Sequence, residues 1–169
     1  KLSKIKIIVS DVDGILTDGT IIVSKNSEHK TFHVEDALGT GLLKLANIPI
    51  SFISARISEA TTARLKELKI KHVFQGYVNK LSALDKILNI YKVDYQDVLY
   101  IGDGFVDMPV MEKVGFSISV PNAHLEVKEL ADFVTIKSGG MGVLVEIVQY
   151  VLKSKGIYDK VFNKMRKEI

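Results

Sequence analysis

Apolar residues in this chain gather in short runs, each closed by a polar or glycine-containing stretch: Ile5–Val9, Ile50–Ile53, His72–Phe74, Val98–Ile101, Phe116–Val120 and Phe133–Ile136. A short apolar run bounded by turn formers is the pattern of a strand covered on both faces, as strands of a parallel sheet are. Between the runs stand segments with helical spacing, at Leu38–Ala46, Ser58–Leu68, Lys80–Tyr91, Asp107–Lys113 and Met141–Lys155. Strand and helix alternate, which predicts an α/β sandwich around a mainly parallel sheet.

One stretch breaks the alternation. Gly19–His33 carries β-branched residues around Lys25-Asn26-Ser27-Glu28, which predicts a hairpin inserted just after the first strand. Ligands of open α/β sheets bind at the carboxyl ends of the strands, so a hairpin there is placed to act as a flap over a site. No repeat, low-complexity segment or linker divides the sequence, and residues 1–169 read as a single domain.

The 47% apolar and 25% charged content of the 169 residues is that of a globular domain. Without cysteine the chain has neither disulfides nor thiolate chemistry, and it has no early apolar run resembling a leader or membrane span. A cytoplasmic address with no membrane partner is the expectation. The net charge of +3 is uneven, because the segment 153–169 holds six basic residues against Asp159 and Glu168. This tail lacks interleaved stacking aromatics beyond Tyr158 and Phe162, so it is expected to be solvated and no nucleic-acid partner is expected.

The polar residues at the ends of the predicted strands form a set: Asp11-Val12-Asp13-Gly14 after the first, Ser54 after the second, and Asp103 after Val98–Ile101. Lys80 opens the helix between the last two. On an extended segment Asp11 and Asp13 fall on one side, and Gly14 permits a sharp turn. Carboxylates kept this close repel one another unless a cation or a shared proton compensates, and with Asp103 they make an oxygen-rich site suited to Mg²⁺. A hydroxyl and an ammonium add the hydrogen bond and positive charge that a transferring phosphoryl group needs.

Asp11-Val12-Asp13-Gly14-Ile15-Leu16-Thr17-Asp18-Gly19 resembles the first motif of the haloacid dehalogenase superfamily of phosphohydrolases. Ser54 matches its second motif, Lys80 its third, and Gly102-Asp103-Gly104-Phe105-Val106-Asp107 its fourth. Gln75-Gly76, Asp107-Met108-Pro109-Val110-Met111 and Gly139-Gly140-Met141-Gly142 narrow the resemblance to the 3-deoxy-D-manno-octulosonate 8-phosphate phosphatases. The chain departs from that pattern at Ala55, Gly104 and Val145, where the family usually has Gly, Asp and Arg.

The resemblance implies a Rossmann-like fold without a cap domain, an attack of Asp11 on phosphorus, and Asp13 as acid and then base. It implies Mg²⁺ held by the carboxylates of Asp11 and Asp103 and the backbone carbonyl of Asp13, with Ser54 and Lys80 on the phosphate. Asp107 then orients Lys80 or metal-bound water. It also implies a homotetramer whose neighbouring subunits supply the lid. Arg56 and Arg64 match arginines of the octulosonate phosphatases and suit a substrate carboxylate, while an ion pair of Arg64 with Glu59 or Glu67 is the competing reading. Asp36 reads equally as a family acid or a helix N-cap. Alternatives are a phosphatase for a nine-carbon keto-sugar phosphate and a nonenzymatic oligomerisation module. A receiver domain shares the Asp, Mg²⁺, hydroxyl and lysine, but its acceptor acid has no counterpart in Ser51-Phe52-Ile53-Ser54-Ala55-Arg56.

Overall fold

The computed structural model describes residues 1–168. In chain order its elements are β1 (Ile7–Ser10), the hairpin strands β2 (Ile22–Val23) and β3 (Glu28–His29), α1 (Asp36–Ala46), β4 (Ile50–Ser54), α2 (Glu59–Glu67), β5 (Val73–Gln75) and α3 (Lys80–Tyr91). They continue with β6 (Val98–Ile101), α4 (Met108–Met111), β7 (Phe116–Ser119), α5 (Leu125–Leu130), β8 (Phe133–Val134), α6 (Val143–Ser154) and α7 (Tyr158–Glu168).

Six strands form one parallel sheet in the order β5-β4-β1-β6-β7-β8. Every residue of β1, β4 and β6 is buried, which is why these strands read as apolar runs and not as alternation. Helices α1, α6 and α7 pack on one another, and α4 packs against both α3 and α5. From β1 the chain winds outward through β4 to β5, then returns past β1 to β6 and winds the other way. The connections leaving β1 and β6 therefore run toward opposite edges of the sheet, and the strand ends where they part are where open α/β sheets bind ligands.

Three features differ from the sequence expectation. The helix expected over Asp107–Lys113 is reduced to α4, because Phe105–Asp107 forms a 3-10 turn that leads into it. Helix α5, only six residues long, carried too little periodicity to be foreseen. The basic tail is not simply solvated: Val161 and Met165 in α7 are 5% and 9% exposed. They lie four residues apart on one helical face, and α7 packs on α1 and α6 while Asp159, Lys160, Lys164, Arg166 and Lys167 face outward.

Candidate active site

Asp11 follows the last residue of β1. Its backbone N–H donates to the carbonyl of Ile101 at 2.9 Å, which extends the β1–β6 pairing by one rung and fixes where the side chain starts. One carboxylate oxygen of Asp11 accepts the Val12 N–H at 2.6 Å. The chain then turns at Gly14 with φ +85°. A Cβ at Gly14 would lie 1.9 Å from Asp103 Oδ2, so the absent side chain is what lets the loops after β1 and β6 meet.

The late double glycine buttresses the same loop. Gly140 N–H donates to the Ile15 carbonyl at 2.9 Å, Asn122 Nδ2 donates to the Gly14 carbonyl at 3.0 Å, and Gly139 N–H donates to Asn122 Oδ1 at 2.7 Å. A Cβ at Gly139 would fall 1.7 Å from the Gly14 oxygen.

Lys80 opens α3 behind an Asn79 cap and is 2% exposed. Its Nζ lies 2.8 Å from Asp11 Oδ2 and 2.6 Å from Asp107 Oδ1. Asp107 is wholly buried: Tyr100 Oη also donates to its Oδ1 at 2.6 Å, and the N–H groups of Asp103 and Gly104 donate to its Oδ2 at 3.2 and 3.0 Å. With both oxygens engaged, Asp107 positions Lys80 and the Asp103 loop. Gly104 needs only its backbone N–H for this, so the missing side chain leaves the arrangement intact.

Across the crevice, Ser54 Oγ at the end of β4 donates to Asp13 Oδ2 at 3.4 Å and accepts the Arg56 N–H at 3.1 Å. The other Asp13 oxygen is taken by a residue that sequence reasoning missed. Lys30, from the strand side of the flap, lies 2.5 Å from Asp13 Oδ1 and donates to Thr61 Oγ1 at 3.2 Å, with no part of its side chain exposed. Its only signal in the sequence was its place in the hairpin expected to cover the site.

The two arginines diverge. Arg56 stands at the mouth, 48% exposed in its side chain, and donates from Nη2 to Glu28 of the flap. Arg64 pairs with Glu67 at 2.8 Å and donates to the His33 carbonyl at 2.9 Å, tying down the base of the flap. Val145 is buried in α6. Asp36 is not the cap of its own helix. It sits inside α1 and accepts the Leu144 N–H at 3.4 Å, at the start of α6, while its second oxygen is buried without a partner. Burial pushes its carboxyl up to about 6.

Four carboxylates, Asp11, Asp13, Asp103 and Asp107, face two ammonium groups, Lys30 and Lys80. The formal excess is two negative charges, which one divalent cation balances. Burial, then the charge of Asp107, pushes Asp11 up to about 8 and Asp103 up to about 6. Burial works against the Lys80 charge, but Asp11 and Asp107 outweigh it and raise its pKa. Oxygens of Asp11, Asp103 and Asp107 lie within 4.8 Å of one another. An all-oxygen donor set with uncompensated negative charge fits a hard cation such as Mg²⁺.

The profile of the haloacid dehalogenase-like hydrolases matches residues 53–147. The chain belongs to that family. The 3-deoxy-D-manno-octulosonate 8-phosphate phosphatase of Salmonella typhi is 37% identical over 161 residues, covering 95% of this chain and 86% of the relative. Among solved structures, the 3-deoxy-D-manno-octulosonate 8-phosphate phosphatase of Moraxella catarrhalis in complex with magnesium ion, phosphate ion and KDO molecule superposes with TM-score 0.92. It is 36% identical and covers 97% of this chain and 95% of that one. The cobalt-bound phosphatase of Haemophilus influenzae gives TM-score 0.89 at 35% identity, covering 93% and 92%. The haloacid dehalogenase-like fold with its parallel sheet, expected from the motifs, is therefore the fold of this chain. Among the described residues no helix is long and apolar enough to cross a membrane.

Proposed function

We propose that this chain is a Mg²⁺-dependent phosphatase that hydrolyses 3-deoxy-D-manno-octulosonate 8-phosphate to the free sugar acid and phosphate. The observation that carries the reading is the buried Asp11–Lys80–Asp107 chain beside Asp103, in a fold that superposes on a relative solved with magnesium ion, phosphate ion and KDO.

Asp11 attacks phosphorus in line and the sugar oxygen leaves, giving an aspartyl-phosphate. Asp13 donates its proton to that leaving oxygen. It then takes a proton from the water that attacks the aspartyl-phosphate, which releases phosphate and restores Asp11. Lys80 and Ser54 hold the non-bridging oxygens, where charge is spread as the bond breaks. The carboxylates of Asp11 and Asp103 and the backbone carbonyl of Asp13 would hold Mg²⁺, which when bound would supply further positive charge to the phosphoryl group. Asp107 keeps Lys80 charged and aimed.

Arg56 at the mouth is placed to take the sugar carboxylate. Arg64 is the second candidate, and it is engaged by both Glu67 and the His33 carbonyl. The described residues work as one domain, with 19–33 as flap and no cap among them. Ile22, Val23, Ile57, Val78 and Phe105 are more than half exposed. Apolar surface on the flap and on loops around the site is what neighbouring copies would cover. The proposal therefore includes a homotetramer in which adjacent subunits complete the lid.

The test is a hydrolysis panel of eight- and nine-carbon keto-sugar phosphates, neutral sugar phosphates and p-nitrophenyl phosphate, with and without Mg²⁺ and a chelator, alongside light scattering at assay concentration. Expected are preference for the eight-carbon acid, reversible loss on chelation and a tetrameric mass. Equal rates on acidic and neutral sugars would overturn the substrate, and a fully active monomer would overturn the assembly.

A further inference from the structure

The flap ends in β3, and the chain alternates there. Glu28 and Lys30 reach the site, while His29 faces solvent with Ser27. Glu28 Oε2 accepts from Arg56 Nη2. Glu28 Oε1 is buried without a hydrogen-bond partner and lies 3.9 Å from Lys30 Nζ. Thus the guanidinium at the mouth is already occupied by a carboxylate, and that carboxylate belongs to the protein.

We propose that Glu28 is a specificity-determining residue, an internal carboxylate that an acidic substrate must exchange for its own on Arg56. The inference rests on the preceding reading, in which Arg56 takes the sugar carboxylate. Two features of the pair make the exchange easy. Arg56 is half in water, so its attraction to Glu28 is screened and weak. The other Glu28 oxygen makes no close hydrogen bond and has Lys30 Nζ only at 3.9 Å, so little direct contact is given up when Glu28 leaves, and with Ser58 and Arg56 holding its carboxyl below the usual range it leaves as a carboxylate. An incoming carboxylate takes over the guanidinium and releases the flap strand that carries Glu28. A neutral phosphate ester offers Arg56 nothing in exchange, and Glu28 remains across the mouth.

The test compares the wild type with Glu28→Gln in steady-state assays on 3-deoxy-D-manno-octulosonate 8-phosphate and on p-nitrophenyl phosphate. Without the competing charge, KM for the acidic sugar falls about three- to fivefold relative to KM for the aryl phosphate, the size of a partly exposed ion pair. Inhibition by free 3-deoxy-D-manno-octulosonate tightens by a similar factor relative to inhibition by inorganic phosphate. In an Arg56→Ala background the effect of Glu28→Gln disappears, because the group being contested is gone. A KM that rises for the acidic sugar, a change shared by both substrates, or an effect that persists without Arg56 overturns the role of Glu28. Failure of the underlying reading looks different: the wild type itself would show no preference for the acidic sugar.

Discussion

Lys80 Nζ stands 2.8 Å from Asp11 Oδ2, and the two side chains are only 1% and 9% exposed. Removing the ammonium would leave Asp11 and Asp107 facing each other in a dry crevice. Lys80→Met should therefore abolish turnover and also lower stability by about 3–5 kcal/mol, the cost of breaking a buried pair from one side. Urea denaturation alongside activity checks both. A variant as stable as the wild type would mean the carboxylates are not ionised when Lys80 is present.

Asp11→Asn keeps the size of the side chain but offers a poor nucleophile, and should leave the fold intact with no measurable turnover. Asp13→Asn should fail at leaving-group protonation and at water activation, so a substrate with a good leaving group such as p-nitrophenyl phosphate retains more phosphoryl transfer than the sugar phosphate does. A burst of p-nitrophenol from Asp13→Asn, with little steady-state rate, is the expected trace. Normal turnover by Asp11→Asn would refute the nucleophile.

The two arginines should separate by effect. Arg56→Ala should raise KM for the acidic sugar about tenfold or more relative to the aryl phosphate, since only the sugar loses a charge-assisted contact. Arg64→Ala should also lower thermal stability, because its guanidinium holds the His33 carbonyl at the base of the flap. Equal loss on both substrates in Arg56→Ala would show that this residue serves the phosphate or the fold.

Asp36 gives a pH signature away from the crevice. Burial raises its carboxyl from 3.8 to about 6, so the folded protein holds this proton after the unfolded chain has released it. Stability from this group is full below about pH 4 and declines as pH rises to about 6, an effect of order 3 kcal/mol. Asp36→Asn should remove that decline, and the stability difference between variant and wild type should grow in favour of the variant from pH 4 to 6 and then level off. Chemical denaturation at several pH values checks it, and parallel curves would refute it.

The sheet and most of the candidate site were legible because each depends on a local pattern. Strand β6 and helix α3 fall at the bounds the sequence suggests, one a buried apolar run and the other an amphipathic segment opened by Asn79. Asp11, Asp13, Ser54, Lys80 and Asp103 were readable because each closes or opens such an element. Lys30 was not, since a lysine in a polar hairpin reads as solvated, and its burial follows only from the flap folding back over Asp13. Nor was the cap that Asp36 provides, because its partner at Leu144 lies on an element far along the chain. In α7 the surplus of charge concealed an apolar face only two buried residues deep.

The contact between Gly14 and the loop at Asn122, Gly139 and Gly140 ties together segments 108 residues apart at Gly14 and Asn122. A nascent chain that has emerged only as far as Lys113 already holds Asp11, Asp13, Ser54, Lys80 and Asp103, yet the turn that brings the first two beside the last has no brace. Domains generally fold as units, and here the acidic loops can settle against each other only once residues 122–140 have left the ribosome. Every side chain proposed for the chemistry is thus made before the backbone clasp at Asn122, Gly139 and Gly140 that holds their loops together.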